Sequence, residues 1–377
     1  MVLACSMEKK YHNLKTKNLV LFFSYRVGLE LWEKRGMLAR EIKIYKELGK
    51  YFNKIYFLTY DRNDFKFAEE LQKYNIEILY KKSRLPNILY SIFCILYYGR
   101  ELKRCDYLKT NQISGSWSAV LAKWFYRKKL IVRMGFPLSL NAKKEGWIKY
   151  IFAKLAERLA LCNANRVVVA TEYDWNYFKK YIDKIRIVPN FVDTNLFKPV
   201  PELKNETNDK IILFIGRLSA EKNLSGLILA LSGIKGVKLQ LIGSGSLQRD
   251  LQNLAKEKNV KVEFLGNIIH SELPNFINKA DIFVLCSFYE GNPKVLLEAM
   301  SCGTVVLSAD VRGINNIIRH RVNGFLTGTS AQELQLGISE AFKNQQLWSQ
   351  CGLAARGLIL EKYSFTKIFE KELQNYL

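Results

Sequence analysis

The chain has 377 residues, of which 49% are hydrophobic and 25% charged, a balance that excludes a disordered or fibrous protein and gives length enough for two domains. Its 58 Lys and Arg against 35 Asp and Glu leave a net +23, and the surplus is uneven: residues 1–190 carry 37 basic and 17 acidic side chains, residues 191–377 carry 21 and 18. The overall bias suggests an anionic partner such as nucleotide, phospholipid surface or nucleic acid, and the uneven split suggests that the two halves face different partners.

In chain order, residues 1–17 read as a basic lead-in without a targeting signal, since Leu3-Ala4-Cys5 has the ending of a lipoprotein signal but no apolar stretch before it. Residues 19–23 read as a strand, followed by a loop to Gly28 and an amphipathic helical stretch to about Leu48. A strand over 54–59, a helix over 65–74 and a strand over 76–79 follow. Residues 85–98 form the longest apolar run, short of the roughly 20 residues a membrane-spanning helix needs, so they predict a buried or an interfacial helix. A strand at 130–133 and a long helix at 147–162 lead to a strand at 166–170. Seven scattered cysteines without a Cys-x-x-Cys pair argue for a reducing compartment and against disulfides or structural zinc.

Neither periodicity nor core composition continues across Ile187-Val188-Pro189-Asn190-Phe191-Val192-Asp193 and the polar 198–210 segment, which places the domain boundary there. Beyond it the alternation restarts, with strands at 211–215, 238–242, 262–265, 281–285 and 304–307 and helices from Asn223, over 247–258, near Pro274 and from Pro293. The pattern predicts an α/β protein with two Rossmann-like halves: residues 1–190, residues 191–360, and a terminal helix over 361–377.

Two stretches of the second half carry candidate chemistry. In the first, Arg217 follows a strand and Lys222 stands at the entry of the next helix, two cations able to neutralise a diphosphate and the charge that develops as it leaves. In the second, Asn292 reads as the N-cap, Pro293 as the first helical residue and Gly303 as the stop of a helix. Glu290 then lies in the strand-to-helix loop and Glu298 in the second turn, placed to accept from a ribose diol. The plain alternative is a basic surface loop and a solvated Lys294–Glu298 pair worth about 0.2–0.5 kcal/mol. Gly243-Ser244-Gly245 lacks the third glycine of a dinucleotide fingerprint, because position 248 is Gln.

Gly216-Arg217, Glu221-Lys222-Asn223, the Glu290-x7-Glu298 spacing, Gly303 and Gly313 resemble the signature of the family-4 retaining glycosyltransferases of GT-B fold, and 188–193 is similar to that family's interdomain segment. The resemblance covers about residues 185–330 and is one of layout alone up to Cys162. It implies two domains facing across a cleft, with a C-terminal helix crossing back to the first. It implies that Gly216, Arg217 and Lys222 hold the donor diphosphate, Glu298 the ribose and Glu290 the transferred sugar, with Arg217, Lys222 and Glu290 forming the catalytic set. Gly291, Asn292, Pro293, Lys294 and Val295 then lie near the diphosphate or sugar, Leu265 near the base, and Gly28 near the donor phosphate and the acceptor.

No cofactor and no metal are implied, and the sequence has no Asp-x-Asp to hold a divalent ion. The His that many members carry in the first domain is absent: only His12, His270 and His320 occur, and Arg133 and Asn141 stand in the expected region as acceptor-side candidates. His270 reads as structural. The expected partners are a UDP- or GDP-sugar, a saccharide acceptor carried on a lipid, and an anionic membrane surface bound from the inner, cytoplasmic side by the basic, aromatic-rich first half. The expected setting is assembly of cell-surface polysaccharide or glycolipid. A GT-B epimerase or hydrolase is the alternative within the fold. A nucleic-acid-binding protein is the alternative outside it, weakened by the lack of any recognition motif and by two glutamates it leaves unused.

Overall fold

A computed structural model of the protein describes residues 10–135, 137–139, 142, 146–203 and 209–377. Residues 1–9, Phe136, Asn141 and Lys143-Lys144, on which parts of the sequence reading fall, lie outside the described residues. The chain divides into two compact units, Met1–Val188 with Phe369–Leu377, and Pro189–Ile368.

The first unit is built on seven parallel strands: β1 (Asn18–Phe22), β2 (Lys54–Leu58), β3 (Ile76–Leu79), β4 (Tyr107–Thr110), β5 (Lys129–Met134), β6 (Arg166–Val169) and β7 (Ile185–Ile187). They stand in the order β3-β2-β1-β4-β5-β6-β7, with Val20 opposite Tyr56 and Leu108. The strands read as short apolar runs because helices cover both faces of such a sheet. The helical stretch after β1 is two helices, α1 (Leu29–Lys34) and α2 (Leu38–Leu48), separated where Gly36 and Met37 turn back onto Glu33 and Trp32. Three further helices, α3 (Asn87–Tyr97), α4 (Ser116–Tyr126) and α5 (Trp147–Asn163), pack side by side, α3 on α4 and α4 on α5. The apolar run is thus a helix apolar on both faces: Tyr90, Cys94 and Ile95 are buried, while Ile92, Phe93, Leu96 and Tyr97 are exposed. No helix among the described residues is long and apolar enough to cross a membrane.

The second unit carries β8 (Lys210–Ile215), β9 (Val237–Ile242), β10 (Val262–Gly266), β11 (Ile282–Leu285), β12 (Val305–Ala309) and β13 (Phe325–Thr327), parallel and in the order β10-β9-β8-β11-β12-β13. Helices α6 (Leu224–Leu231), α7 (Leu273–Lys279) and α8 (Lys294–Ser301) follow β8, β10 and β11. Leu227, Ile228, Leu296, Leu297 and Met300 bury against Phe214, Leu241, Phe283 and Leu307 in one core. Both units are thus doubly wound, Rossmann-like sheets.

The last helix, α9 (Phe365–Leu373), carries the chain into the first unit. There Glu372 forms an ion pair with Lys109 of β4, both fully buried. Tyr376 donates its hydroxyl to Glu372 at 2.8 Å, and the Arg166 and Arg186 guanidinium groups donate to the Gln374 carbonyl at 2.7 and 2.6 Å. Burial pushes the Lys109 ammonium down from its ordinary value, and the Glu372 charge opposes that.

Candidate active site

The order of the second sheet reverses between β8 and β11, which pair directly, Ile212 opposite Ile282 and Leu213 opposite Phe283. Open α/β sheets bind ligands at such a switch point, beyond the carboxyl ends of the strands. The two candidate loops leave these two strands. After β8 come Gly216, an exposed Arg217 and a single turn over Ala220–Lys222; after β11 comes the 286–293 loop that opens α8.

The loops are tied together by charge. Lys222 Nζ lies 2.6 Å from Glu290 Oε1, which also accepts the Ser287 hydroxyl at 2.6 Å. The Phe288 N–H donates to the Glu221 carbonyl at 2.9 Å, so backbone as well as side chain bridges the two. Burial pushes the Glu221 carboxyl up, but the Ser219 hydroxyl, its own N–H and the charges of Arg217 and Lys222 carry it below the ordinary glutamate value. Cys286, buried beneath with its thiol donating to the Lys222 carbonyl at 3.2 Å, is pushed up to about 12 by desolvation and is a packing group.

Close approach explains two glycines. A Cβ on Gly313, whose φ is +86°, would stand 2.1 Å from the Gly291 carbonyl oxygen and 2.4 Å from that of Glu290. Residue 313 is the floor under the loop. A Cβ on Gly243 would stand 1.9 Å from the Gly216 carbonyl oxygen. The Gly243-Ser244-Gly245 pair is there because the Arg217 loop packs onto it, which accounts for the incomplete dinucleotide pattern.

The start of α8 differs from expectation. Pro293, with extended backbone, occupies the cap and Lys294 is the first helical residue. The Asn292 side chain does not cap; its Oδ1 accepts the Asn190 N–H at 3.0 Å, while Asn190 Nδ2 donates to the Asn292 carbonyl at 2.7 Å. This two-point link won over capping because it satisfies a donor and an acceptor at once. Asn190 therefore anchors the loop holding Gly291, Asn292 and Pro293, with Val295 half-buried one turn on.

Glu298 is 2% exposed on the inner side of α8, and its Oε1 lies 2.8 Å from His270 Nε2. The fold brings the loop after β10 against α8, so that His270 meets Glu298 from outside the helix. Leu265 is half-buried near the end of β10, where the register with β9 shifts between Phe264 and Gly266.

Gly28 and Arg133 belong to the first unit. Gly28 precedes α1, and a Cβ there would stand 2.5 Å from Asp61 Cβ and 2.7 Å from Asp64 Oδ2. The buried Asp64 carboxylate accepts from the Leu29 and Glu30 N–H groups at 3.0 and 2.9 Å, and burial raises it above the ordinary aspartate value. The side chain of Arg133, in β5, is half-buried and donates to the Val188 carbonyl at 3.3 Å. Asn141 lies outside the described residues. Sequence reasoning missed Asn190 and the engagement of His270, since short-range patterns carry no signal for contacts made across 102 or 28 positions, and it missed Ser287, three residues before Glu290, although that spacing was open to view.

Comparison with known proteins agrees with this architecture. Two solved structures superpose along the chain: HepE from Anabaena in complex with UDP and glucose, at TM-score 0.77 and 20% identity over 95% of this chain and 99% of that one, and sucrose-phosphate synthase from Thermosynechococcus elongatus, at 0.80 and 18% over 96% and 98%. The fold is GT-B. Residues 199–357 match the family "Glycosyl transferases group 1". Similar sequences include an uncharacterized glycosyltransferase of Methanocaldococcus jannaschii, 32% identical over 45% of each chain. Another is the UDP-Gal:alpha-D-GlcNAc-diphosphoundecaprenol alpha-1,3-galactosyltransferase of Escherichia coli, 29% identical over 48% of this chain and 49% of the relative. The chain spans about half the length of these two relatives.

Proposed function

We propose that the chain is a retaining glycosyltransferase that moves a sugar from a nucleoside diphosphate sugar, UDP- or GDP-linked, to a saccharide acceptor without a metal ion. The observation that carries this reading is the convergence of Arg217, Lys222 and Glu290 on loops leaving the two strands that flank the switch point of the second sheet. UDP in the similar HepE structure and UDP-Gal in the name of the Escherichia coli relative support a uridine donor.

The chemistry follows from charge. As the bond between anomeric carbon and β-phosphate oxygen breaks, negative charge grows on that oxygen. Lys222, Arg217 and the N–H groups opening α8 stabilise it without reorganising, in the manner of an oxyanion hole. The acceptor hydroxyl attacks on the face the phosphate leaves, so configuration is kept and the departing oxygen can take the acceptor's proton. Glu290, released from Lys222 by the diphosphate, accepts from hydroxyls of the sugar, and Glu298 accepts from the ribose.

A lipid-borne acceptor suits the first unit. Helices α3, α4 and α5 expose Phe93, Leu96, Trp124, Phe125, Trp147 and Phe152, with Lys123, Arg127 and Lys128 among them. Apolar groups rimmed by cations fit an anionic membrane interface. The Escherichia coli relative, by its name, acts on a diphosphoundecaprenol-linked sugar.

Titration calorimetry of UDP, GDP, ADP, dTDP and CDP with the wild type and Glu298→Ala tests the donor site. Metal-independent binding of one of the five, lost in the variant, supports the reading; no binding to any refutes it. Product formed from the sugar nucleotide alone, with no saccharide acceptor, would favour an epimerase or hydrolase on the same site.

A further inference from the structure

We infer that His270 is a positioning residue for the nucleoside ribose, acting through Glu298; the inference rests on the donor-site reading above. Glu298 is almost fully enclosed, and an enclosed carboxylate costs free energy unless donors meet it. A carboxylate only accepts, so with His270 Nε2 at 2.8 Å the proton of that bond sits on Nε2. The imidazole holds one carboxylate oxygen in place.

The imidazole is itself fixed. Its ring lies 5.0 Å from that of Phe197, which is fully buried. The Phe197 carbonyl accepts the Ser301 hydroxyl at 2.6 Å and the Arg356 guanidinium at 3.2 Å. Ser301 lies on α8 one turn beyond Glu298, so the helix carrying the carboxylate also anchors the wall behind its histidine. His270 reaches this place from the loop after β10, beyond the Leu265 turn assigned to the base. It joins the base-side loop to the ribose carboxylate, and its loss is felt at the ribose hydroxyls rather than at the diphosphate.

The test is calorimetric binding of UDP, GDP and their 2′-deoxy forms to the wild type, His270→Ala and His270→Gln, with a thermal melt of each. The glutamine amide retains an N–H donor. For the nucleotide that binds, the wild type is expected to favour the ribose form at least tenfold. In His270→Ala that preference falls to less than threefold, through loss of affinity for the ribose form alone, and His270→Gln recovers most of it. An alanine variant that keeps the wild-type preference, or loses ribose and deoxyribose forms equally, overturns the inference. Should His270→Ala not fold, a folded His270→Gln decides: preference retained supports the role, preference lost overturns it. A wild type that binds nucleotide without ribose preference overturns this inference and leaves the donor site standing. A wild type that binds neither nucleotide overturns this inference and the UDP- or GDP-linked donor with it, and the donor site itself falls only when none of the five diphosphates binds.

Discussion

Lys222 Nζ and Glu290 Oε1 stand 2.6 Å apart, an ion pair between the two loops of the candidate site. An incoming diphosphate must compete with the carboxylate for the ammonium, and the carboxylate it displaces becomes available to the sugar. Glu290→Gln removes the competitor and keeps the shape. The variant should bind free UDP about fivefold more tightly, which corresponds to about 1 kcal/mol for a partly buried pair, while sugar transfer falls. Calorimetry beside a transfer assay separates the two effects; tighter binding with undiminished transfer would deny Glu290 its role at the sugar.

Gly313 is the support of the loop that carries Glu290 and Gly291. A methyl group there meets two carbonyl oxygens, and φ of +86° is itself unfavourable for an L-residue by about 1–2 kcal/mol. Gly313→Ala should lower the melting temperature by several degrees and reduce transfer at least tenfold. A variant with wild-type activity and stability would show that the loop moves aside freely.

Trp147 and Phe152 are 72% and 67% exposed on α5. Replacing both with Asp should abolish flotation with vesicles containing anionic phospholipid and leave nucleotide binding unchanged. Flotation that persists in the double variant would place the contact elsewhere; no flotation of the wild type at low salt would remove the membrane proposal.

Removing one member of a buried ion pair leaves an uncompensated charge, at a cost of about 3–5 kcal/mol. Glu372→Ala should therefore strongly destabilise the first unit, as measured by urea unfolding. The pair replacement Lys109→Met with Glu372→Leu should recover most of the loss, because both charges go together.

Asp64 supplies a pH dependence of known sign. Its folded pKa is raised by burial, so between the ordinary aspartate value of about 3.9 and that raised value the folded state holds more protons than the unfolded one. Its contribution to stability is full below this window and is lost as pH rises through it. Asp64→Asn removes this titration, so the stability of the wild type relative to the variant should fall as pH rises from the ordinary aspartate value through the raised one, as followed by melting curves; a rise would contradict the assignment.

The sequence made the doubly wound pattern legible wherever a strand was an uninterrupted apolar run, as in Ile-Phe-Val-Leu of β11. It hid β4, because Tyr107-Leu108-Lys109-Thr110 contains a lysine whose counter-charge, Glu372, stands 263 residues on. It also hid α4, whose first turn of Ser116-Trp117-Ser118 follows a glycine and reads as loop. In the candidate site the cations and carboxylates were visible by spacing, since each stands at a strand end or helix start. Two of their partners were not, because Asn190 and His270 take their roles from contacts between elements that no local pattern encodes.

Lys109 and Glu372 also impose an order on biosynthesis. At about 5–20 residues per second, 263 residues take tens of seconds to translate, and throughout that interval the first sheet has its central lysine but not the counter-charge. Most of the first unit is made early and completed last. The second unit, continuous from Pro189 to Ile368, has its whole core before the closing segment leaves the ribosome. A nascent chain stalled before residue 372 would expose an unfinished first unit to chaperones and proteases beside a second unit that already has its full complement of residues.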